Sequence, residues 1–281
     1  MRSVPILSVL ALLAACAASV PIPEPAAPPE RIQLADGVTV TREGARVRYV
    51  GELTEEGFAA LRQVSDRQPV HTLLITSTGG EINAGMDFGE WTFEQRLDVE
   101  VDEICLSSCA NYVFPAARNK LIRPGAVVAW HGSARQRGLM ERLEREIDGR
   151  LRSLAGPQRD HERQRMRRAT ADYLERSQRR QDAFFQRLRV DEFVTRIGAE
   201  EYGVNDLYFL SVGDMSRFGI TNVIAPPDYV RTDLSRTMRL HQVRVVYLKL
   251  EPFQPCQSPA AHAAAGLAAL YTPRCLAAVV R

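Results

Sequence analysis

Residues 73–86 read LLITSTGGEINAGM, residues 105–116 CLSSCANYVFPA and residues 126–133 AVVAWHGS, and these three pieces decide the fold. The apolar run from Thr72 to Ile75 has the pattern of a buried strand, and Ser77-Thr78-Gly79-Gly80 that of a tight turn opening a helix. Ser107 and Ser108 sit at a second strand-to-helix junction, and His131 closes a third strand. Working outward, Arg46 to Val50 reads as a strand, and Thr54 to about Val64 as an amphipathic helix with Phe58, Leu61 and Val64 on one face. Thr54 followed by Glu55 and Glu56 makes a helix start. Glu81 to Arg96 carries Ile82, Met86 and Phe93 at helical spacing, with Leu97 just beyond. Gly85 and Gly89 cost helix propensity there, so they mark the close approach of a neighbouring backbone. Val99 to Ile104 is a further strand, Ser108 to Ala116 a buried helix, and Val127 to His131 a strand after the Arg123-Pro124-Gly125 turn. Strands alternating with helices indicate parallel βαβ units.

A hydroxyl is a poor nucleophile until an imidazole takes its proton, and the oxyanion that then forms needs preorganised N–H donors. The three pieces supply these parts in order. Ser108 is the candidate nucleophile, with Ser107 the alternative because either side chain can face the cleft; a serine here also serves as a helix N-cap. His131 is the candidate general base. The N–H groups of Gly80 and Cys109 are the candidate oxyanion hole, and the N-terminus of the Ser108 helix adds a dipole that favours negative charge.

These motifs resemble the ClpP/crotonase superfamily, and within it the Clp-type serine peptidase subunits and their stand-alone periplasmic relatives. The resemblance rests on Ser77-Thr78-Gly79-Gly80 with Ile82-Asn83-Ala84-Gly85, on Ser107-Ser108-Cys109-Ala110, and on Pro124-Gly125-Ala126 ahead of Trp130-His131. A fourth piece, Phe209-Leu210-Ser211 with Arg217-Phe218-Gly219-Ile220, looks like the segment that follows the triad aspartate. The resemblance spans roughly residues 46–225. It implies an α/β fold, a spiral of βαβ units with an inserted helical hairpin and a small C-terminal cap. It also aligns Ser108 with the family's nucleophile. Asp206 is the candidate third member, although the gapless match to the family's aspartate falls on Leu207.

The chain has 281 residues, 45% of them hydrophobic, enough to bury one full-sized core. With 36 basic against 34 acidic residues, nothing in the overall charge points to nucleic acid. Arg2 and the apolar run Val4 to Ala15 are too short to span a bilayer and read as a signal peptide over residues 1–15. Leu13-Ala14-Ala15-Cys16 resembles a bacterial lipobox, which implies cleavage before Cys16 and lipidation of its thiol; an ordinary signal peptide cut nearby is the other reading. Residues 16–30 then form a lipidated, proline- and alanine-rich tether. The expected location is the periplasmic face of a bacterial membrane, held by the lipid anchor.

Cys105, Cys109, Cys256 and Cys275 remain, an even number in a chain that reads as exported. A Cys256–Cys275 bridge would close a C-terminal loop and contribute about 3 kcal/mol. Cys105 and Cys109 are either bridged across their strand-to-helix turn or a pair of buried thiols.

The domain expected over residues 31–225 contains a charged insertion at 133–197. Leu139, Leu143, Ile147, Leu151 and Leu154 make an apolar stripe, Gly156-Pro157 breaks it, and a second helix runs to about Leu188, which together read as an αα-hairpin. Its outer face carries Glu and Arg pairs, a solvated surface. In Clp-type subunits the corresponding region is a helical handle used in ring stacking, so a homo-oligomer contact through 133–197 is the expectation. Residues 226–281 form the C-terminal extension, with Arg239 to Leu250 read as a strand or hairpin arm and Ala260 to Leu270 as a short helix.

The expected function is an envelope serine hydrolase, a peptidase working by an ATP-independent acyl-enzyme mechanism on peptide or protein substrates. The alternatives are a catalytically inactive binding or scaffold lipoprotein and a crotonase-like acyl-CoA enzyme. The serine–histidine pair argues against the last, because acyl-CoA chemistry in an oxyanion hole needs no such pair. The sequence carries no metal constellation and no phosphate-binding loop, so no cofactor and no ATPase partner are expected.

Overall fold

The computed structural model describes residues 30–66 and 68–251. The expected signal peptide, Cys16 anchor, tether, Cys256–Cys275 bridge and Ala260 to Leu270 helix lie outside the described residues. The chain opens with an antiparallel meander, β1 (Glu30–Gln33), β2 (Thr39–Glu43) and β3 (Arg46–Val50). From β3 onward every pairing in the main sheet is parallel. Helix α1 (Glu55–Ser65) leads to β4 (Thr72–Ser77), and α2 (Ile82–Glu94) to β5 (Asp98–Leu106). A π-helical turn, Cys109–Val113, runs into the short α3 (Phe114–Ala116), which precedes β6 (Lys120–Ile122) and β7 (Val127–Ala129).

The remainder consists of α4 (Leu139–Arg150), α5 (Gly156–Leu188), a 3₁₀ turn at Glu192–Thr195, α6 (Ile197–Tyr202), β8 (Leu207–Phe209), α7 (Val212–Arg217) and β9 (Val223–Ile224). A second 3₁₀ turn, Tyr229–Arg231, leads to α8 (Ser235–His241) and β10 (Val245–Tyr247). The main sheet runs β1-β2-β3-β4-β5-β6-β9, with β7 also on β5, and β10 pairs with β8 in a small second sheet. The fold is mixed α/β.

The local reasons are those the sequence carries. Thr54 caps α1, its hydroxyl accepting from the Gly57 N–H at 3.0 Å. Strand β4 is buried along nearly its whole length, with Leu73, Leu74 and Ile75 at its centre, because it is covered on both its faces. Strand β3 alternates instead. Val47 and Tyr49 are buried, while Arg46 and Arg48 reach across a solvated face to Glu100 and Asp102 on β5. Arg123 joins the same acidic residues at 2.7 and 2.6 Å from beyond β6.

Strand β5 changes partners midway, and that change builds the site. Val99 to Val101 pair with β6, the register against β4 then shifts between Ile75 and Ser77, and Ile104 to Leu106 pair with β7. The irregularity bends β5 so that its last residues lie beside the last residues of β7.

Helix α5 has 33 residues and is therefore roughly 50 Å long. Its C-terminal half is seated on the body of the molecule. Arg180 grips Asp87 and Glu90 of α2, and Tyr112 donates to Gln181 at 2.7 Å. Gly89 is where that packing is closest: a Cβ there would fall 2.6 Å from the Tyr112 carbonyl and 2.8 Å from the Phe184 ring. The outer stretch pairs with α4 through Arg163–Asp148 and Arg167–Glu144.

The chain after residue 225 departs from the expected strand over Arg239 to Leu250. It forms α8 first, ended by Gln242 in the left-handed conformation with the Val243 N–H returning to Met238, and only then β10. The segment does not stand apart from the core. Tyr229 is buried against Phe209 and its hydroxyl accepts from the Val128 N–H at 3.2 Å, while Leu248 and Leu250 are buried beyond β10.

Candidate active site

Leu106 and Ala129 are register partners at the carboxyl ends of β5 and β7. The Ser107 N–H continues the ladder to the Ala129 carbonyl at 2.9 Å. The chain then turns sharply into the helical run, with Ser107 at φ +53°, a left-handed conformation that costs a residue bearing a Cβ about 1–2 kcal/mol. The turn leaves the Ser107 side chain half-buried at the rim of the sheet. His131 leaves the neighbouring strand end, and its Nε2 lies 2.7 Å from Ser107 Oγ. In a neutral ring carrying its proton on Nδ1, Nε2 accepts from the Ser107 hydroxyl, which is the arrangement of a base beside its nucleophile.

The pairing expected for Ser108 is thus made by Ser107. Ser108 is 3% exposed, and its hydroxyl donates to the Gly80 carbonyl at 2.9 Å. The positive φ at Ser107 turns the two neighbouring side chains in different directions, one to the rim and one into the body. Cys109, expected as an oxyanion donor next to Ser108, lies two residues beyond the serine that meets His131.

His131 keeps a solvent-exposed edge, yet the atoms packed around the ring hold its pKa below the ordinary histidine value, and the positive charge of Arg142 pushes the same way. The imidazole is therefore neutral at neutral pH and able to accept a proton. Asn111 ties the two halves of the site together. Its backbone N–H donates to the Ser107 carbonyl at 2.8 Å, and its side-chain amide donates to the Gly132 carbonyl at 2.9 Å. It lies in the π-helical turn, a local irregularity common at functional sites.

The glycine pair serves this turn from the opposite side. At Gly79 (φ +96°) a Cβ would fall 2.7 Å from both the Leu106 carbonyl and the Ser107 Cβ; at Gly80 (φ +152°) it would fall 2.3 Å from the Leu53 carbonyl. Both positions thus require glycine because another backbone already occupies the space. Leu53 bridges this loop through Leu53 N–H to Gly79 O (2.7 Å) and Glu81 N–H to Leu53 O (3.1 Å), and neither bond uses the Gly80 N–H. Gly85 is also closely approached, but by side chains rather than the expected backbone: a Cβ there would fall 2.8 Å from the Tyr112 ring and 2.9 Å from the Ser108 Cβ.

Asp206 lines the same cleft, a space of about 290 Å³ bounded by Thr78, Ser107, His131, Asp206 and Arg244 among others. Its ion pair goes to Arg244 Nε at 3.3 Å, and among the described residues no hydrogen bond joins it to His131. The serine and histidine stand as a pair. Cys105 and Cys109 form a disulfide across the Ser107 turn, their Cα atoms 5.1 Å apart. The Ser107–His131 contact had one signal in the sequence, the place of Ser107 as the first residue after the strand, where the turn must fall.

Among solved structures the chain is similar to ClpP1 of Listeria monocytogenes, there in a mutant form, at 20% identity and a TM-score of 0.31, with 66% of this chain and 93% of that chain covered. No family model matches the sequence, and no curated protein does.

Proposed function

We propose that this chain is a serine hydrolase of the ClpP/crotonase-like kind, a peptidase that works outside the cytoplasm without an ATPase partner. The observation that carries the reading is the 2.7 Å contact between Ser107 Oγ and His131 Nε2, made by a serine in a left-handed strand-to-helix turn. Serine hydrolases of another fold expose their nucleophile by the same local device.

In this mechanism His131 takes the Ser107 proton as Oγ attacks a carbonyl carbon. The resulting oxyanion is held by the N–H groups of Gly80 and of Ser108, the residue after the nucleophile. His131 then returns the proton to the leaving group, and water releases the acyl group by the reverse sequence. Without a carboxylate on the ring, the tautomer is less firmly held and turnover is slower, though not abolished. A lipid on Cys16 would place the cleft at the membrane surface, and the α4–α5 hairpin is the face we assign to contact with further copies of the chain.

The test is a fluorophosphonate probe on wild type and Ser107→Ala, with the adduct located by mass spectrometry. An adduct on Ser107 supports the reading. A folded wild-type protein that never labels and cleaves no peptide or ester moves it to a binding or scaffold protein, the second reading, which the Asp206–Arg244 pairing favours.

A further inference from the structure

We propose that the Cys105–Cys109 disulfide is a positioning brace for Ser107, so that the Ser107–His131 pair assembles only where these two thiols are oxidised. The inference rests on the hydrolase reading for its catalytic consequence and on geometry for its structural one. The bond joins the residues two before and two after Ser107, and both cysteines are fully buried. Between them Ser107 holds φ +53°, a conformation that a residue with a Cβ leaves when nothing restrains it.

Two backbone hydrogen bonds hold the ends of this turn, Ser107 N–H to Ala129 and Asn111 N–H to Ser107. A free chain places residues four apart as much as ~13 Å from one another, whereas the disulfide ties the strand end to the helix start at 5.1 Å. It thereby removes the extended alternatives in which Ser107 Oγ swings away from His131. Because both sulfurs are buried, a reductant reaches them only after local opening. The bond thus behaves as a built part, set during folding. Its formation takes two electrons and two protons from the thiols to an external disulfide, which leaves as a dithiol. Cytosolic conditions keep such thiols reduced, so the brace suits an exported protein.

The experiment compares the oxidised full chain with Cys105→Ala/Cys109→Ala, well below the melting midpoint of each. It reads fluorophosphonate inactivation, split into maximal rate and half-saturation, and the ¹⁵N shift of the His131 Nε2. A purely structural bond would lower only the midpoint. The brace predicts a folded double variant whose maximal rate falls ~10–100-fold with half-saturation little changed, and whose Nε2 signal moves as its Ser107 partner is lost. A folded variant with wild-type rate and unmoved Nε2 overturns it. Should oxidised wild type never label, the hydrolase reading fails, and the Nε2 shift alone decides the brace. If the alanine pair does not fold, Cys105→Ser/Cys109→Ala is read by the same measurements; failure of both to fold overturns the positioning role in favour of a bond needed for folding.

Discussion

Leu106 and Ala129 stand opposite each other at the carboxyl ends of adjacent parallel strands, so Ser107 and His131 leave the sheet side by side. Ligand sites in parallel sheets form at these strand ends, where the loops diverge. The bend in β5 makes the pairing available. Its first half is committed to β6, and only the shifted register after Ile75 lets its last three residues take β7.

The two adjacent serines should separate cleanly in mutagenesis. Ser107→Ala is expected to eliminate probe labelling with little change in stability. Ser108→Ala should keep labelling but lose about 0.5–1.5 kcal/mol, the usual net worth of one hydrogen bond, because the buried Ser108 hydroxyl no longer donates to the Gly80 carbonyl. Probe gels and urea titrations of both variants check this, and the reverse pattern would return the nucleophile to Ser108.

The labelling rate should fall in acid as His131 gains a proton. Burial and the Arg142 charge both disfavour the imidazolium, so the inflection belongs below the usual histidine value of about 6.5. Arg142→Ala removes one of the two causes and should move the inflection upward. A pH–rate profile of each protein measures it.

Asp206→Asn is expected to change the labelling rate by less than about threefold. Its carboxylate serves an exposed pair with Arg244, a class of contact worth ~0–1 kcal/mol, and makes no bond to the histidine. A loss near the size of the His131→Ala effect would show that the carboxylate reaches the ring during the reaction.

Gly80→Ala should be among the most damaging small substitutions in the chain. The added methyl meets the Leu53 carbonyl at 2.3 Å and its N–H nitrogen at 2.7 Å, both backbone atoms that cannot turn aside. A cost above about 3 kcal/mol, or failure to accumulate as folded protein, is the expected result. Thermal melts against wild type would detect it.

Lys120 gives a prediction independent of the cleft. It is 4% exposed, donates to the Ala117 carbonyl at 2.7 Å, and burial lowers its pKa to about 8. The folded state therefore disfavours the charged amine, and the protein gains stability as pH rises from about 8 toward the unfolded value near 10.4. The full effect is of order 3 kcal/mol. Urea titrations at pH 7 and 9.5 should show wild type gaining on Lys120→Met at the higher pH; a constant difference would contradict the shift.

The sequence by itself determined where the elements lie, because hydrophobic periodicity is a local property. The period of two over Arg46 to Val50, the apolar run of β4, the helical spacing after Ile82 and the stripe from Leu139 to Leu154 each reflect which side of one element is buried. The close-packing role of Gly85 and Gly89 was legible for the same reason, since a glycine that weakens a helix must be there for a neighbour. Only the tertiary structure shows which of Ser107 and Ser108 meets His131. That contact goes with the sign of one φ angle, at a turn flanked by the Ala129 ladder bond, the glycine loop and the disulfide, all contacts between segments distant in sequence or across a turn. The same holds for Cys105 and Cys109, whose bond needs a turn tight enough to bring residues four apart within reach. It holds for Asp206, whose partner Arg244 arrives on the approach to β10. Over Arg239 to Leu250, alternation alone suggested a strand, but the first residues complete a helix that begins at Ser235 and ends in the left-handed turn at Gln242, so the segment divides where the backbone reverses.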